Sequence, residues 1–145
     1  MEPNMEPTLD TKTESAEQRF AYDLIRNDVL KDILGSEHDS IMYWIGRSLA
    51  RKYPLHTIEE TIDFFRKANW GQLVLVKEKK QQRSFELRGS WMKQDDNRCY
   101  QLETGFLAEQ IEHWTGAYTG ATHLQKKGVV TIQVESDLKD SVNQS

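Results

Sequence analysis

Glu109 and His113 lie four residues apart, the spacing at which two side chains on one face of a helix can chelate a metal. Two ligands fall short of the four that a structural site takes, and the same spacing fits an exposed helical pair. His38, His56 and His123 are isolated among polar neighbours and read as surface positions. Cys99 is the single cysteine, which excludes an intrachain disulfide framework and any zinc centre built from several thiolates. Arg98 beside it would favour the thiolate, yet no histidine is near in sequence, and a lone cysteine usually packs as a small hydrophobe. There is no serine elbow, P-loop or dinucleotide fingerprint, and Gly116, Gly120 and Gly128 are too far apart to cradle a phosphate. No constellation of acid, base and nucleophile emerges, so the expectation is a non-catalytic protein without metal or cofactor.

Two basic runs, Arg47, Arg51 and Lys52, then Lys77, Lys79, Lys80 and Arg83, alternate with acids or flank turns. They lack the interleaved aromatics of a single-strand binder and read as solvated faces. A net charge of −4, from 19 basic and 23 acidic residues, argues against a broad phosphate-binding surface, so nucleic acid is not expected as a partner.

The elements that must position these side chains follow from apolar spacing. Met1 to Glu17 is acidic, carries two prolines and has almost no large apolar side chains, so residues 1–17 are expected to be a disordered tail. Residues 136–145 read the same way, as a flexible tail, and trimming either is expected to cost less than about 0.5 kcal/mol. Residues 18–135 read as one domain. Tyr22, Leu24, Ile25, Val29, Leu30 and Ile33 predict a helix over Phe20 to Gly35, and Ile41, Trp44, Ile45 and Leu49 a second over Ser40 to Tyr53, ended by Pro54. Thr57 with Glu60 is a capping box opening a third helix that ends near Gly71.

Gln72 to Lys77, apolar on both faces, predicts a central strand, paired in a hairpin with the alternating Ser84 to Arg88. Leu102, Phe106, Leu107, Ile111 and Trp114 predict a fourth helix stopped by Gly116, and a second hairpin turns at Lys127-Gly128. The result is an α+β domain in which an antiparallel sheet of about four strands, in two hairpins, packs with about four helices. The longest aliphatic run, Leu73 to Val76, is far short of the ~20 residues of a membrane span, and no positive region leads into an apolar run at the N-terminus. A cytoplasmic setting is expected.

Ile41-Met42-Tyr43-Trp44-Ile45-Gly46-Arg47-Ser48-Leu49-Ala50-Arg51-Lys52-Tyr53-Pro54, Phe64-Phe65-Arg66-Lys67-Ala68-Asn69-Trp70-Gly71 and Leu102-Glu103-Thr104-Gly105-Phe106-Leu107-Ala108-Glu109-Gln110-Ile111 closely resemble the YslB-like family of low-GC Gram-positive bacteria. The resemblance covers about Phe20 to Glu135. More remotely, the helix-hairpin-helix-hairpin order is similar to the four-vinyl-reductase small-molecule domain and the Bet-three-like subunits of a tethering complex. That likeness implies a Bet-three-like ligand-binding domain. The chain departs from the group in two places. The last hairpin offers Thr119, His123 and Thr131 and no thiol, and Tyr43-Trp44-Ile45-Gly46-Arg47 has isoleucine where related haem sensors carry serine. Both departures disfavour haem and cysteine-bound metal.

Bulky aromatics stand beside small residues in the second and fourth helices, leaving room for another helix or for an apolar cavity. Any ligand pocket is therefore expected to be lined by Trp44, Phe65, Phe106 and Ile111, with Cys99 near the mouth. Gly46, Ala50, Gly105 and Ala108 are expected at a helix-packing seam or an interface. The leading functional reading, which the remote likeness implies, is a module holding a small apolar or lipid-like ligand. The alternative is a self-associating homodimer or an adaptor that docks a protein partner.

Overall fold

The computed structural model describes residues 16–93 and 96–141. Where the sequence suggests one domain over 18–135, the chain packs as two compact units divided between His38 and Asp39. In the first unit residues 16–34 are helical, so Ala16 and Glu17 are helix rather than tail; the rest of the expected 1–17 tail lies outside the described residues. The regular helix expected over Phe20 to Gly35 is interrupted by a π-helix over Leu24–Val29, followed by an α-turn Leu30–Leu34 and a 3-10 turn Gly35–Glu37. A π-turn closes i to i+5, which sets Leu24 and Val29 one turn apart.

The second unit holds α1 (His38–Lys52, whose first residue precedes the division), α2 (Ile58–Lys67), β1 (Gln72–Glu78) and β2 (Gln82–Arg88), then α3 (Gln101–Thr115), β3 (Ala117–Lys126) and β4 (Val129–Ser141). It is an α+β arrangement with one four-stranded antiparallel sheet in the order β1-β2-β4-β3. Among its described residues long α-helices number three, not four, because the first expected helix belongs to the other unit and is broken by its π-turn.

Local signals account for most of these boundaries. Thr57 Oγ1 accepts the Glu60 N–H at 3.0 Å, and the Glu60 carboxylate accepts the His56 N–H at 2.7 Å, one residue before the donor of a standard capping box. Gly116 ends α3 in the left-handed region at φ 71°, and Lys127-Gly128, at φ 49° and 81°, makes the two-residue turn between β3 and β4.

Leu73, Phe85, Leu87, Val130, Ile132 and Val134 form one buried face of the sheet, against α2 and α3. Phe65, Trp70 and Phe106 close that core edge to face at 4.9–5.9 Å between ring centroids, and Phe64 stacks on Phe106 at 4.7 Å. Each such fully buried ring contributes about 2–3 kcal/mol.

Two strand expectations are corrected. β1 is an edge strand rather than a central one, and Val74 and Val76 are 43% and 50% exposed. Apolar residues on both faces do not cover themselves; among the described residues no later strand pairs beyond β1. The expected flexible tail also begins too early. β4 runs on to Ser141, pairing Ser136 with Thr119 and Asp137 with Tyr118, and the Ser136 hydroxyl lies buried 2.8 Å from that of Thr119. Residues 142–145 lie outside the described residues.

α3 is enclosed on nearly all sides, with Leu102 to Ala108 continuously buried. A Cβ on Gly105 would overlap the Tyr43 carbonyl oxygen, and one on Gly46 would overlap the Leu102 carbonyl oxygen. α1 and α3 therefore cross backbone to backbone. Gln110 and Trp114 on α3 also hold the 53–57 connection: Gln110 accepts the Leu55 N–H and donates to the Tyr53 carbonyl, and Trp114 donates to the Leu55 carbonyl at 2.7 Å.

Candidate functional site: a groove between α1 and the β3–β4 ribbon

Arg47 sits at the centre of a connected polar cluster in the second unit. The α1–α3 crossing brings this α1 residue over the last turns of α3, where it is only 7% exposed. Its Nε donates to Glu109 at 2.9 Å, its Nη2 to Glu112 at 2.8 Å, and its Nη1 to the Tyr43 hydroxyl and the Thr119 carbonyl. Burial penalises the charged guanidinium, but the hydrogen bonds to Glu109 and Tyr43 and the neighbouring charges outweigh it, so its pKa stands above the ordinary arginine value. Glu112 completes a loop by accepting the Thr119 N–H at 3.0 Å. Both outward backbone groups of Thr119, on edge strand β3, are thus satisfied by side chains. Arg51 reaches Glu109 at 3.2 Å from a largely exposed position.

Above this cluster runs an open groove of about 1210 Å³. Tyr43, Trp44, Arg47 and Arg51 line it from α1, Glu109 and Glu112 from α3, residues 118–122 from β3, and Gln133 with Glu135, Ser136 and Asp137 from β4. Trp44 is 61% exposed and Tyr118 57% exposed, two large rings presented to solvent along it. Tyr43 meets Trp44 edge to face at 5.3 Å, and the Arg47 guanidinium lies 5.8 Å from each of the two ring centroids.

The expected ligand residues are brought together only in part: Phe65 and Phe106 meet edge to face. Phe65, Phe106 and Ile111 are fully buried in the packed core, whereas Trp44 faces the groove, which none of the other three lines. Bulky residues beside small ones suggested a common apolar cavity, but α1 turns Gly46, not Trp44, towards α3. Cys99 is half-buried beside Arg98 and Tyr100, and it too is absent from the groove lining. Ala50 and Ala108 are buried, on the helices that cross at Gly46 and Gly105.

Glu109 turns to Arg47 and Arg51 while His113 is exposed. His123 is half-buried, its Nδ1 lying 3.2 Å from the Thr104 hydroxyl, and His38 is buried; only His56 of the three expected surface histidines is exposed. Burial lowers the His123 pKa, against the opposing charges of Glu103 and Asp39.

Arg47, Glu112 and Gly120 are the site residues that sequence reasoning missed. The one available signal was Arg47 four residues after Tyr43, with Glu109 and Glu112 three apart on a later helix. Spacing alone could not show that the two helices cross there.

The fold is similar to that of a vinyl-4-reductase family protein from Methanocaldococcus jannaschii, at a TM-score of 0.60 and 20% identity, over 81% of this chain and 80% of that one. At that identity the likeness is one of fold. The chain belongs to the family described as a protein of unknown function, DUF2507, whose model matches residues 19–135. It is similar to the uncharacterized protein YslB of Bacillus subtilis (strain 168), being 40% identical over 148 residues, which span 98% of this chain and 100% of that protein. The resemblance drawn from the blocks around Trp44, Phe65 and Phe106 holds at the level of family and fold.

Proposed function

We propose that the protein is a non-catalytic binding module that docks a partner protein in the groove beside α1. The observation that carries this reading is the open groove itself, with Trp44 and Tyr118 more than half exposed along it. A small apolar ligand is normally enclosed over most of its surface, whereas exposed aromatic rings in an open trough suit the side chains of a polypeptide. Three of the residues expected to enclose a small ligand, Phe65, Phe106 and Ile111, are instead used in core packing. Glu109 and Glu112, the α3 carboxylates that face the groove, are held by Arg47 and act as salt-bridge acceptors rather than as acid–base groups. The structural neighbour is named for a reductase family, and a shared fold does not carry activity across. A cytoplasmic setting, consistent with the lone Cys99, belongs to the same proposal.

The test is site-specific photo-crosslinking in cells. A benzoylphenylalanine in place of Trp44 should yield a discrete protein adduct that disappears in the Tyr118→Ala background. The same probe in place of Lys79, in the β1–β2 turn, should yield none. Equal adducts from both positions would refute docking at the groove. Native mass spectra of the freshly purified chain address the competing occupant, since a retained small apolar molecule displaced by Trp44→Ala would overturn the reading.

A further inference from the structure

Taking the docking reading as its basis, we infer that the occupant of the groove is an extended, basic segment of the partner, alternating cationic and apolar side chains. Charge is the first argument. Four carboxylates line the groove, Glu109, Glu112, Glu135 and Asp137, against two arginines. Arg47 lies between Glu109 and Glu112, so its charge is spent within the floor. Exposed Glu135, on the β4 side, accepts from the neutral amide of Gln82 at 3.1 Å. The lining thus carries two more carboxylates than arginines, which favours a cationic occupant and disfavours an anionic one.

Shape is the second argument. Tyr118, Gly120 and Thr122 alternate onto one face of β3, opposite Asp137, Glu135 and Gln133 of β4. A Cβ on Gly120 would meet nothing within 4 Å, so the strand leaves a notch between two larger side chains, with Trp44 across the groove. A strand rises about 3.4 Å per residue, so the five lining residues 118–122 match an extended occupant of about five residues.

Backbone chemistry is the third argument. β3 is the sheet edge on this side, and Thr119 has its outward N–H and C=O taken by Glu112 and Arg47. The two-residue alternation of the ladder gives Ala121 the same outward aspect, and Ala121 lines the groove. An added strand can pair there while its alternate side chains reach the Gly120 notch and Glu135.

The experiment titrates the full ¹⁵N-labelled chain with an octapeptide alternating leucine and lysine, and with counterparts carrying glutamate or glutamine for lysine. The expected result is selective shifting of the Gly120, Ala121, Thr122 and Glu135 amides by the lysine peptide. Its affinity should exceed that of the glutamate peptide by at least about tenfold at low salt, with the gap narrowing as salt is raised. Glu135→Lys should weaken it by about tenfold. Gly120→Val, which fills the notch at an open position, should abolish it without lowering the melting temperature. Equal binding of the three peptides at these amides would overturn the basic-segment inference while leaving the docking reading intact. Peptides that move none of these amides, together with identical crosslinks from positions 44 and 79, would overturn both.

Discussion

Replacing Gly105 by alanine adds one methyl group at the point where α1 and α3 touch. That Cβ would overlap the Tyr43 carbonyl oxygen and stand 2.9 Å from the Tyr43 carbonyl carbon and 3.3 Å from the Arg47 amide nitrogen. All three are backbone atoms of a helix, so no rotamer change relieves the contact and the helices must separate. Overpacking of this kind costs about 1–3 kcal/mol, and a rigid backbone obstacle places the case at the upper end. Alanine returns about 1 kcal/mol of helix propensity, leaving a net loss of about 2 kcal/mol.

On a chain of 145 residues that loss corresponds to a fall of about 8 °C in melting temperature. Gly46→Ala, which meets the Leu102 carbonyl oxygen and the Phe106 nitrogen, should cost a similar amount. The double variant should cost less than the sum, because one separation relieves both contacts. Gly120→Ala is the control: it lies in open space at an unstrained position, and it should leave stability unchanged or raise it by up to about 0.5 kcal/mol. Urea denaturation with light scattering reads stability and oligomeric state together. If Gly46→Ala and Gly105→Ala match the Gly120→Ala control, or alter only the oligomeric state, the intrachain crossing is not what these glycines serve.

Arg47→Met should destabilise the fold by about 2–3 kcal/mol in urea denaturation, since it leaves Glu109 and the Thr119 carbonyl without their main partner; Arg47→Lys should recover only part, because one ammonium cannot span Glu109, Glu112 and Tyr43 together. A chain ending at Glu135 should lose about 1–2 kcal/mol, as Ser136 takes with it a buried hydrogen bond and the Thr119 ladder contact, and an unchanged melting temperature would count against β4 reaching beyond that point. His123 has a folded pKa below the ordinary value of 6.5, so its contribution is fully present above pH 6.5 and falls as pH drops through the folded value. Wild type should therefore lose stability between pH 7 and 5 more steeply than His123→Gln, and identical slopes would refute this. Gln110→Ala should cost about 1–2 kcal/mol and speed amide exchange at Leu55, whose N–H it accepts.

Sequence by itself determined the features that depend on near neighbours. The Thr57 cap, the Gly116 stop and the Lys127-Gly128 turn are each settled by a few adjacent residues, because orphan helix donors and positive φ angles are local demands. Apolar periodicity likewise placed α1, α2, α3 and both hairpins, and the family blocks around Trp44, Phe65 and Phe106 carried the fold class. Tertiary structure alone decided the rest. β1 is an edge because of the sheet order, which the strand's own Val74 and Val76 cannot encode. The π-turn at Leu24–Val29 interrupts a spacing that reads as ordinary helix. Arg47 reads as one more surface cation until α1 crosses α3, when it meets Glu109 at a separation of 62 residues and Thr119 at 72. Trp44 and Phe106 carry the same apolar signal, and only the direction in which Gly46 faces α3 sends one to the groove and the other to the core. Local rules act over a single turn of chain; a groove is made by surfaces that the chain brings together from far apart.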